Sequence, residues 1–97
     1  MVHHTILSET AFERGLALQT GQGAPDGARV LMFLPSVDQS TVFCLWEAPT
    51  VDAIRRYVDD TLGDASRNAS YEVAAEPAFA RPALGLASEP IPLRQSA

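Results

Sequence analysis

Hydrophobic side chains recur with two different spacings along this chain, and the spacing predicts which segments are strands and which are helices. Short, mostly apolar runs bounded by turn-forming residues are typical of β-strands. The strand candidates of this kind are residues 2–7, 28–34 and 41–47. Farther along, apolar side chains recur three and four positions apart, which puts them on one stripe of a helix. This stripe is formed by Val51, Ile54, Val58 and Leu62.

The predicted helix has a recognisable start and end. Thr50 is a suitable N-cap, Asp52 adds a negative charge to the first turn, and Gly63 is placed to end the helix. The outer face offers two potential ion pairs with i,i+4 spacing, Arg55–Asp59 and Arg56–Asp60. Such pairs are typical of a solvated helix face and carry no catalytic signal.

Two weaker segments complete the pattern. Ser8 is a candidate N-cap for a helix over residues 9–21, which Gly15 weakens because glycine is unfavourable inside a helix. Residues 68–73 predict a last strand. The order strand–helix–strand–strand–helix–strand is the split βαβ pattern. We therefore predict an α+β, ferredoxin-like βαββαβ fold with a four-stranded antiparallel sheet.

The ferredoxin-like domain is expected to span residues 1–76, followed by a Pro-rich C-terminal tail over residues 77–97. The tail contains Pro77, Pro82, Pro90 and Pro92. These prolines exclude a regular helix or central strand through the whole segment. Because the tail also carries apolar residues, we expect it to be partly packed, with a mobile end.

Two strands in the middle of the chain are apolar on both faces, which is unusual for a sheet that meets water. Strict alternation places Val30, Met32 and Leu34 opposite Leu31 and Phe33, and it places Val42, Cys44 and Trp46 opposite Phe43 and Leu45. Since helices cover only one face, something else must cover the open face. We expect a second copy, giving a homodimer of the dimeric α/β-barrel kind through the open sheet face. Cover by the apolar tail is the alternative.

Composition narrows the class of partner. The chain has 97 residues, enough for one small domain, of which 46% are hydrophobic and 20% are charged. Its net charge of −5 offers no basic surface for nucleic acid or an anionic membrane. No segment resembles a signal peptide or a membrane span, and the single Cys44 excludes an internal disulfide. We therefore expect a cytoplasmic protein.

The segment TVFCLWEAPTVDAIRRYV, followed later by NASYEV, resembles a small ferredoxin-like domain family of unknown function found largely in bacteria. The shared features are a strand ending in Phe-Cys-aliphatic-aromatic-Glu-Ala-Pro, an acidic helix start and Ala-Ile-Arg. The likeness covers about residues 28–73, and one branch of this family is nickel-binding and dimeric. The resemblance implies the fold and favours a dimer, but it transfers no residue as a metal ligand.

His3 and His4 are the natural metal candidates, since imidazole binds nickel, copper and zinc. Adjacent strand residues point to opposite faces, which argues against one ion held by both side chains. A free amino terminus with His3 in third place can instead form a square-planar site for Cu(II) or Ni(II). We also expect the first strand to lie between the third and fourth, parallel to the third, which places His4 near Glu72. The candidate ligands are therefore His3, His4 and Glu72, with Ni²⁺ as the candidate ion.

Other candidate residues lie around the third strand. Cys44, Trp46 and Met32 are interpreted as core or pocket wall, because a buried free cysteine packs as a small hydrophobe. Glu47, where the apolar run stops, and Tyr71 are the candidate catalytic groups, because a carboxyl or phenol facing a cavity can act in acid–base chemistry.

These candidates support functions of different classes. The first is a small soluble binding protein that acts as a homodimer and takes either a transition metal such as nickel or a hydrophobic small molecule. The alternative is a cofactor-free cyclase, isomerase or monooxygenase of the dimeric α/β-barrel kind, acting on a hydrophobic metabolite in biosynthesis. Glu47, Tyr71 and His4 are its first acid–base candidates. An interaction subunit with a filled core is a third hypothesis.

Overall fold

A four-stranded antiparallel sheet with two helices on one face forms the fold, in a computed structural model that describes residues 1–82 and 85–89. The strands are β1 (Val2–Ile6), β2 (Arg29–Pro35), β3 (Thr41–Glu47) and β4 (Ser66–Ser70). The helices are α1 (Thr10–Thr20) and α2 (Val51–Leu62), and one 3-10 turn, Gly63–Ala65, joins α2 to β4. The strand order is β2-β3-β1-β4. The α+β prediction is confirmed, and this arrangement is consistent with the ferredoxin-like pattern.

None of the helices in the described part of the chain is long and apolar enough to cross a membrane.

The direction of β1 differs from the expectation. β1 and β3 are antiparallel, with Val2 opposite Cys44 and Thr5 opposite Thr41, so the prediction of a parallel pair is wrong. The physical reason lies in the connections. The crossover through α1 lets β1 and β2 run in the same direction, and the β2–β3 hairpin then reverses the chain.

The sequence predicted some ends of the helices and strands correctly and others incorrectly. The Thr50 side chain accepts a hydrogen bond from the backbone N–H of Ala53 at 3.1 Å, which confirms the predicted cap of α2. Ser8 is not the N-cap of α1, because Glu9 takes that position without a side-chain cap bond. β4 is Ser66–Ser70 rather than residues 68–73, since β1 pairs with it only from Ile6 opposite Ser66 to Val2 opposite Ser70.

A β-bulge interrupts the ladder between β2 and β3. Val30 lies opposite Trp46 and Met32 lies opposite Leu45, so Leu31 is the extra residue between these two pairs. A bulge inserts one residue that has no partner, and the alternation of side chains shifts by one position beyond it. Strict alternation along β2 therefore fails at Leu31.

The bulge sorts the apolar side chains of β2 between the two faces of the sheet. Val30 and Phe33 both pack against the core beneath the helices. Met32 and Leu34 lie on the open face, where Leu34 pairs with Phe43. The prediction that Val30, Met32 and Leu34 share a face is therefore wrong. The open face nevertheless remains apolar, because Leu34 and Phe43 are both substantially exposed.

The core lies between the sheet and the helices, as the helical stripe predicted. Its buried members are Val2, Leu18, Val42, Cys44, Trp46, Ile54, Val58 and Leu62. Cys44 is one of them, and burial raises the pKa of its thiol to about 12. Cys44 is therefore a neutral packing residue, because a reactive cysteine needs its thiolate form.

Two polar side chains hold the helices together at their ends, where backbone carbonyls lack helical partners. Arg14 of α1 donates a hydrogen bond to the carbonyl of Leu62 at 2.8 Å, and Tyr57 of α2 donates one to the carbonyl of Gln22 at 2.6 Å. Gly63 follows Leu62 with a positive φ of 56°, and a Cβ there would lie 3.0 Å from the Arg14 guanidinium. Glycine fits this turn both by conformation and by space.

The described part of the tail adds little to the core. Phe79 and Leu86 are exposed, and the Arg81 guanidinium lies over the Phe79 ring at 5.5 Å. Residues 86–89 form one wall of an open groove along β2. The predicted mobile end of the tail falls on residues 90–97, which lie outside the described residues.

The bulge gives a test of the fold. We expect Phe33→Ala to lower the free energy of unfolding by about 3 kcal/mol, because it removes an aromatic ring packed on the core. The control Leu31→Ala should lower it by less than about 1 kcal/mol, since Leu31 is 45% exposed. Urea denaturation measures both values. Equal losses would contradict the bulge, because strict alternation puts the two residues on the same face.

Candidate ligand cavity

An apolar cavity of about 30 Å³ lies between α1 and the sheet. Its lining includes His4, Phe12, Gly15, Leu18, Phe33 and Leu62. His4 is the only ionisable residue in the lining, because the other side chains are apolar apart from the amide of Gln19. A mainly apolar pocket with very few polar groups is typical of sites for small organic molecules.

The position of His4 on β1 explains why its ring is buried. β1 is a central strand, and His4 lies opposite Val42 of β3 on one side and Asn68 of β4 on the other. Its side chain points to the helix-covered face, where only 2% of the residue is exposed. Burying an imidazole is unfavourable unless its nitrogen atoms find hydrogen-bond partners.

One ring nitrogen of His4 has such a partner. His4 Nδ1 lies 2.7 Å from Asn68 Oδ1, which also accepts a hydrogen bond from the Ser66 hydroxyl at 2.7 Å. The Asn68 amide nitrogen in turn donates to Asp59 Oδ1 of α2 at 3.0 Å. A chain of hydrogen bonds therefore runs from the buried ring on β1, through β4, to an exposed carboxylate.

The other ring nitrogen is left without a partner. His4 Nε2 is buried and makes no hydrogen bond to any residue in the described part of the chain. An unpaired buried polar atom costs roughly 1–3 kcal/mol. The polar features of this site are therefore the Gln19 amide and an imidazole ring whose Nε2 has no partner.

Burial also controls the charge of His4. Desolvation lowers the pKa of His4 below its ordinary value, and the neighbouring His3 acts in the same direction. The hydrogen bond to Asn68 and the charge of Asp59 oppose this shift. The net direction is downward, so the ring is neutral at pH 7 and keeps one lone pair free to accept a hydrogen bond.

Gly15 makes room for the cavity in the wall that α1 provides. A Cβ built on Gly15 would meet no atom within 4 Å, apart from the helix's own neighbouring backbone. Glycine inside a helix costs about 0.5–1 kcal/mol relative to alanine. The position that weakens the predicted helix therefore borders open space in the lining of the His4 cavity.

A second, more open cleft of about 450 Å³ gathers several of the predicted site residues at the start of α2. Glu47, Tyr71, Glu72 and Trp46 all contribute to its walls. Glu47, Tyr71 and Glu72 are exposed, and Glu47 lies 3.5 Å from the Arg29 guanidinium in an ion pair. The indole N–H of Trp46 is buried without a hydrogen-bond partner among the described residues.

The two histidines lie on opposite faces of the sheet, as the alternation of a strand requires. His3 stacks on Phe43 of the open face with ring centroids 4.5 Å apart, and its Nε2 lies 2.6 Å from the Thr41 hydroxyl. The Met1 amino group donates to the carbonyl of Tyr71 at 2.8 Å, and β1 pairs with strands on both sides. The amino group and the strand that a square-planar site would use are therefore engaged in the sheet, and this site stays a prediction.

The predicted ligands do not converge. Glu72 lies in the open cleft, whereas His4 bonds to Asn68. Within residues 1–82 and 85–89, no group of three or more His, Cys, Asp or Glu residues is placed to hold a metal ion. Nickel binding stays a prediction. Of the predicted pocket-wall residues, Cys44 lies in the core, Trp46 lines the cleft, and Met32 lines the groove beside residues 86–89.

Sequence reasoning missed most of the cavity. Asn68 carried no signal beyond its place in a strand, and Asp59 was expected to pair with Arg55. In the structure Arg55 pairs with Asp52, and this leaves Asp59 for Asn68. The usable signals were His4, which was already a candidate, and Gly15, because a glycine inside a predicted helix needs a reason.

Comparisons with models of protein families, with curated proteins and with solved structures found no match to this chain. The resemblance of residues 28–73 to a ferredoxin-like family with a nickel-binding branch therefore stays a prediction.

The buried ring predicts a pH dependence of stability. The folded-state pKa of His4 lies below the unfolded value of 6.5, so the unfolded chain binds more protons between these two values. We expect the contribution of His4 to the free energy of unfolding to be constant above about pH 6.5. It should decrease as the pH falls from there through the folded-state pKa. Urea denaturation at several pH values between about 8 and 5.5 measures this slope. His4→Leu should flatten it, and an unchanged slope in His4→Leu would show that another group is responsible.

Proposed function

We propose that this protein binds a small apolar molecule in the cavity between α1 and the sheet. One observation supports the proposal above the others: the ring of His4, whose Nε2 has no partner in the described chain, lines a cavity that is apolar apart from the Gln19 amide. A ligand placed there gains from the burial of apolar surface and supplies the hydrogen bond that the fold leaves open.

The size of the cavity limits the ligand. A cavity of about 30 Å³ takes a small group, so the ligand inserts a compact end or α1 moves slightly to admit a ring. The part of α1 that would move contains Gly15, which has no side chain to occupy the cavity. The ligand class is therefore short-chain alcohols, together with small aromatic molecules that enter when α1 moves.

We further propose that the protein acts as a homodimer through the open sheet face, in the manner of a dimeric α/β barrel. Phe43, Leu34, Leu45 and Met32 form an apolar surface on this face, and His3 stacks on Phe43 within it. The described tail leaves Phe43 42% exposed and Leu34 37% exposed, so it does not cover the surface. A second copy, which presents the same apolar surface, is the occupant that two-fold symmetry favours.

A cofactor-free enzyme is the second candidate, and the shared cleft of Glu47, Tyr71 and Glu72 favours it. These groups border one cleft of about 450 Å³. They are nevertheless exposed, although Glu47 has a charged neighbour in Arg29, and burial is a common source of the acid–base strength of a catalytic carboxyl. Binding in the His4 cavity therefore has the stronger physical support.

Filling the cavity tests the binding function. Phenol added to ¹⁵N-labelled protein should shift the amide signals of α1 and β1, with a saturable dependence on concentration. Gly15→Leu should weaken binding about tenfold or more, because its side chain occupies open space beside Gly15, which lines the same cavity as His4. The control Glu13→Leu adds the same side chain at an exposed position of α1 and should bind as the wild type does. Equal weakening in both variants, or no saturable shift, would refute the proposed site.

The open face predicts the oligomeric state. Size-exclusion chromatography with light scattering should give the mass of a dimer for the wild-type chain. Phe43→Glu should give a monomer, because it puts a charge into the apolar surface. Val37→Glu, in the exposed β2–β3 turn, is the matched control and should remain dimeric. A monomeric wild-type protein would remove the dimer proposal.

A further inference from the structure

The hydrogen-bond chain behind His4 fixes more than the position of its ring. An ionised carboxylate can only accept hydrogen bonds, so the Asn68 group 3.0 Å from Asp59 must be the amide nitrogen. The reverse orientation would place two oxygen atoms against each other. Asp59 therefore determines which way the Asn68 amide points.

The amide orientation in turn determines the tautomer of His4. With its nitrogen directed to Asp59, Asn68 presents its oxygen to His4 Nδ1 at 2.7 Å, and the Ser66 hydroxyl donates to the same oxygen. An acceptor at this distance requires a proton on Nδ1. In a neutral imidazole the second nitrogen, Nε2, then carries a lone pair and no proton.

We infer that Asp59, acting through Asn68, makes the cavity selective for ligands that donate a hydrogen bond, such as phenols, alcohols and N–H heterocycles. The inference rests on the proposed function and names the chemistry of its ligand. A donor satisfies Nε2, whereas a nitrile, ether or ketone brings a second lone pair against it. Asp59 and Asn68 are positioning residues, because they act through His4.

Selectivity of this kind has a large effect in an apolar site. A ligand without a donor group fills the cavity but leaves Nε2 unpaired, and it also keeps water away from this nitrogen. Because an unpaired buried polar atom is costly, such a ligand should bind weakly. A site that forms a hydrogen bond with one ligand group strongly rejects close analogues that lack this group. An apolar pocket discriminates far less between ligands that differ only in shape.

Two measurements at about pH 8, where His4 is neutral, test the inference. The ¹⁵N chemical shifts of the imidazole show which nitrogen carries the proton, without any ligand. Titrations with phenol and with benzonitrile, a ring of comparable size that only accepts, then give the ratio of their dissociation constants. The matched variants are Asp59→Asn and Asp60→Asn, two exposed neighbours on α2 that lose the same charge.

In the wild type we expect an unprotonated Nε2 and phenol binding at least about tenfold tighter than benzonitrile. Asp59→Asn frees the Asn68 amide to turn, so a fraction of His4 should carry its proton on Nε2 and the preference should fall about fivefold or more. Asp60→Asn should change neither value. A protonated Nε2 in the wild type, or the same ratio in Asp59→Asn and Asp60→Asn, would overturn the inference.

The outcomes separate this inference from the proposed function. If both probes bind with equal affinity, the cavity is a binding site and the donor selectivity is refuted. If neither probe binds while Nε2 is unprotonated, both the proposed function and the donor selectivity are refuted. Only the assignment of the His4 tautomer is then supported.

Discussion

The burial of an imidazole on a central strand is the constraint on which the rest of the site depends. His4 faces the helices because Val2 and Ile6 on the same side of β1 belong in or against the core, and alternation leaves it no other direction. A ring in that position needs a polar neighbour, and Asn68 on the adjacent strand supplies one. The same amide reaches Asp59, so the hydrogen bonds join β1, β4 and α2 while the second ring nitrogen remains unpaired. The chemistry of the cavity follows from this arrangement.

Much of the fold could be predicted because its signals are local. The spacing of the apolar residues in α2, its Thr50 cap and the run of β3 each depend on a few neighbouring positions, and each has the predicted bounds. The faces of β2 could not be predicted, because one unpaired residue, Leu31, shifts the alternation and leaves no mark in the sequence. The end of β4 at Ser70 could not be predicted either, because β4 pairs with β1, a distant segment of only five residues. Local patterns thus identified the elements, and pairing between strands decided their register.

The candidate site was less accessible to sequence reasoning because its hydrogen bonds span large separations in the chain. His4 was named as a candidate metal ligand and as a candidate acid–base group, but not as the hydrogen-bonding group of a ligand cavity, since an isolated histidine shows neither its burial nor its neighbours. Asn68 lies 64 positions away from His4, and no pattern within β1 points to it. Asp59 had a plausible local partner in Arg55, and only the fold shows that Arg55 turns to Asp52 instead. Glu47, Tyr71 and Glu72 did come together in one cleft, because strand ends at the same edge of the sheet are neighbours.

The cost of the cavity is the final reason to prefer a binding function over simple packing. An unpaired Nε2 costs roughly 1–3 kcal/mol and a glycine inside α1 costs about 0.5–1 kcal/mol, in a class of protein whose total stability is only about 5–15 kcal/mol. Leucine at position 4 would remove the unpaired nitrogen together with the hydrogen bond to Asn68, and alanine at position 15 would remove the cost of the glycine, since its Cβ would lie in open space. A filled core would therefore be the more stable solution. The two costs meet at one cavity, and a hydrogen-bond donor that enters it would offset the first of them, because it pairs with Nε2.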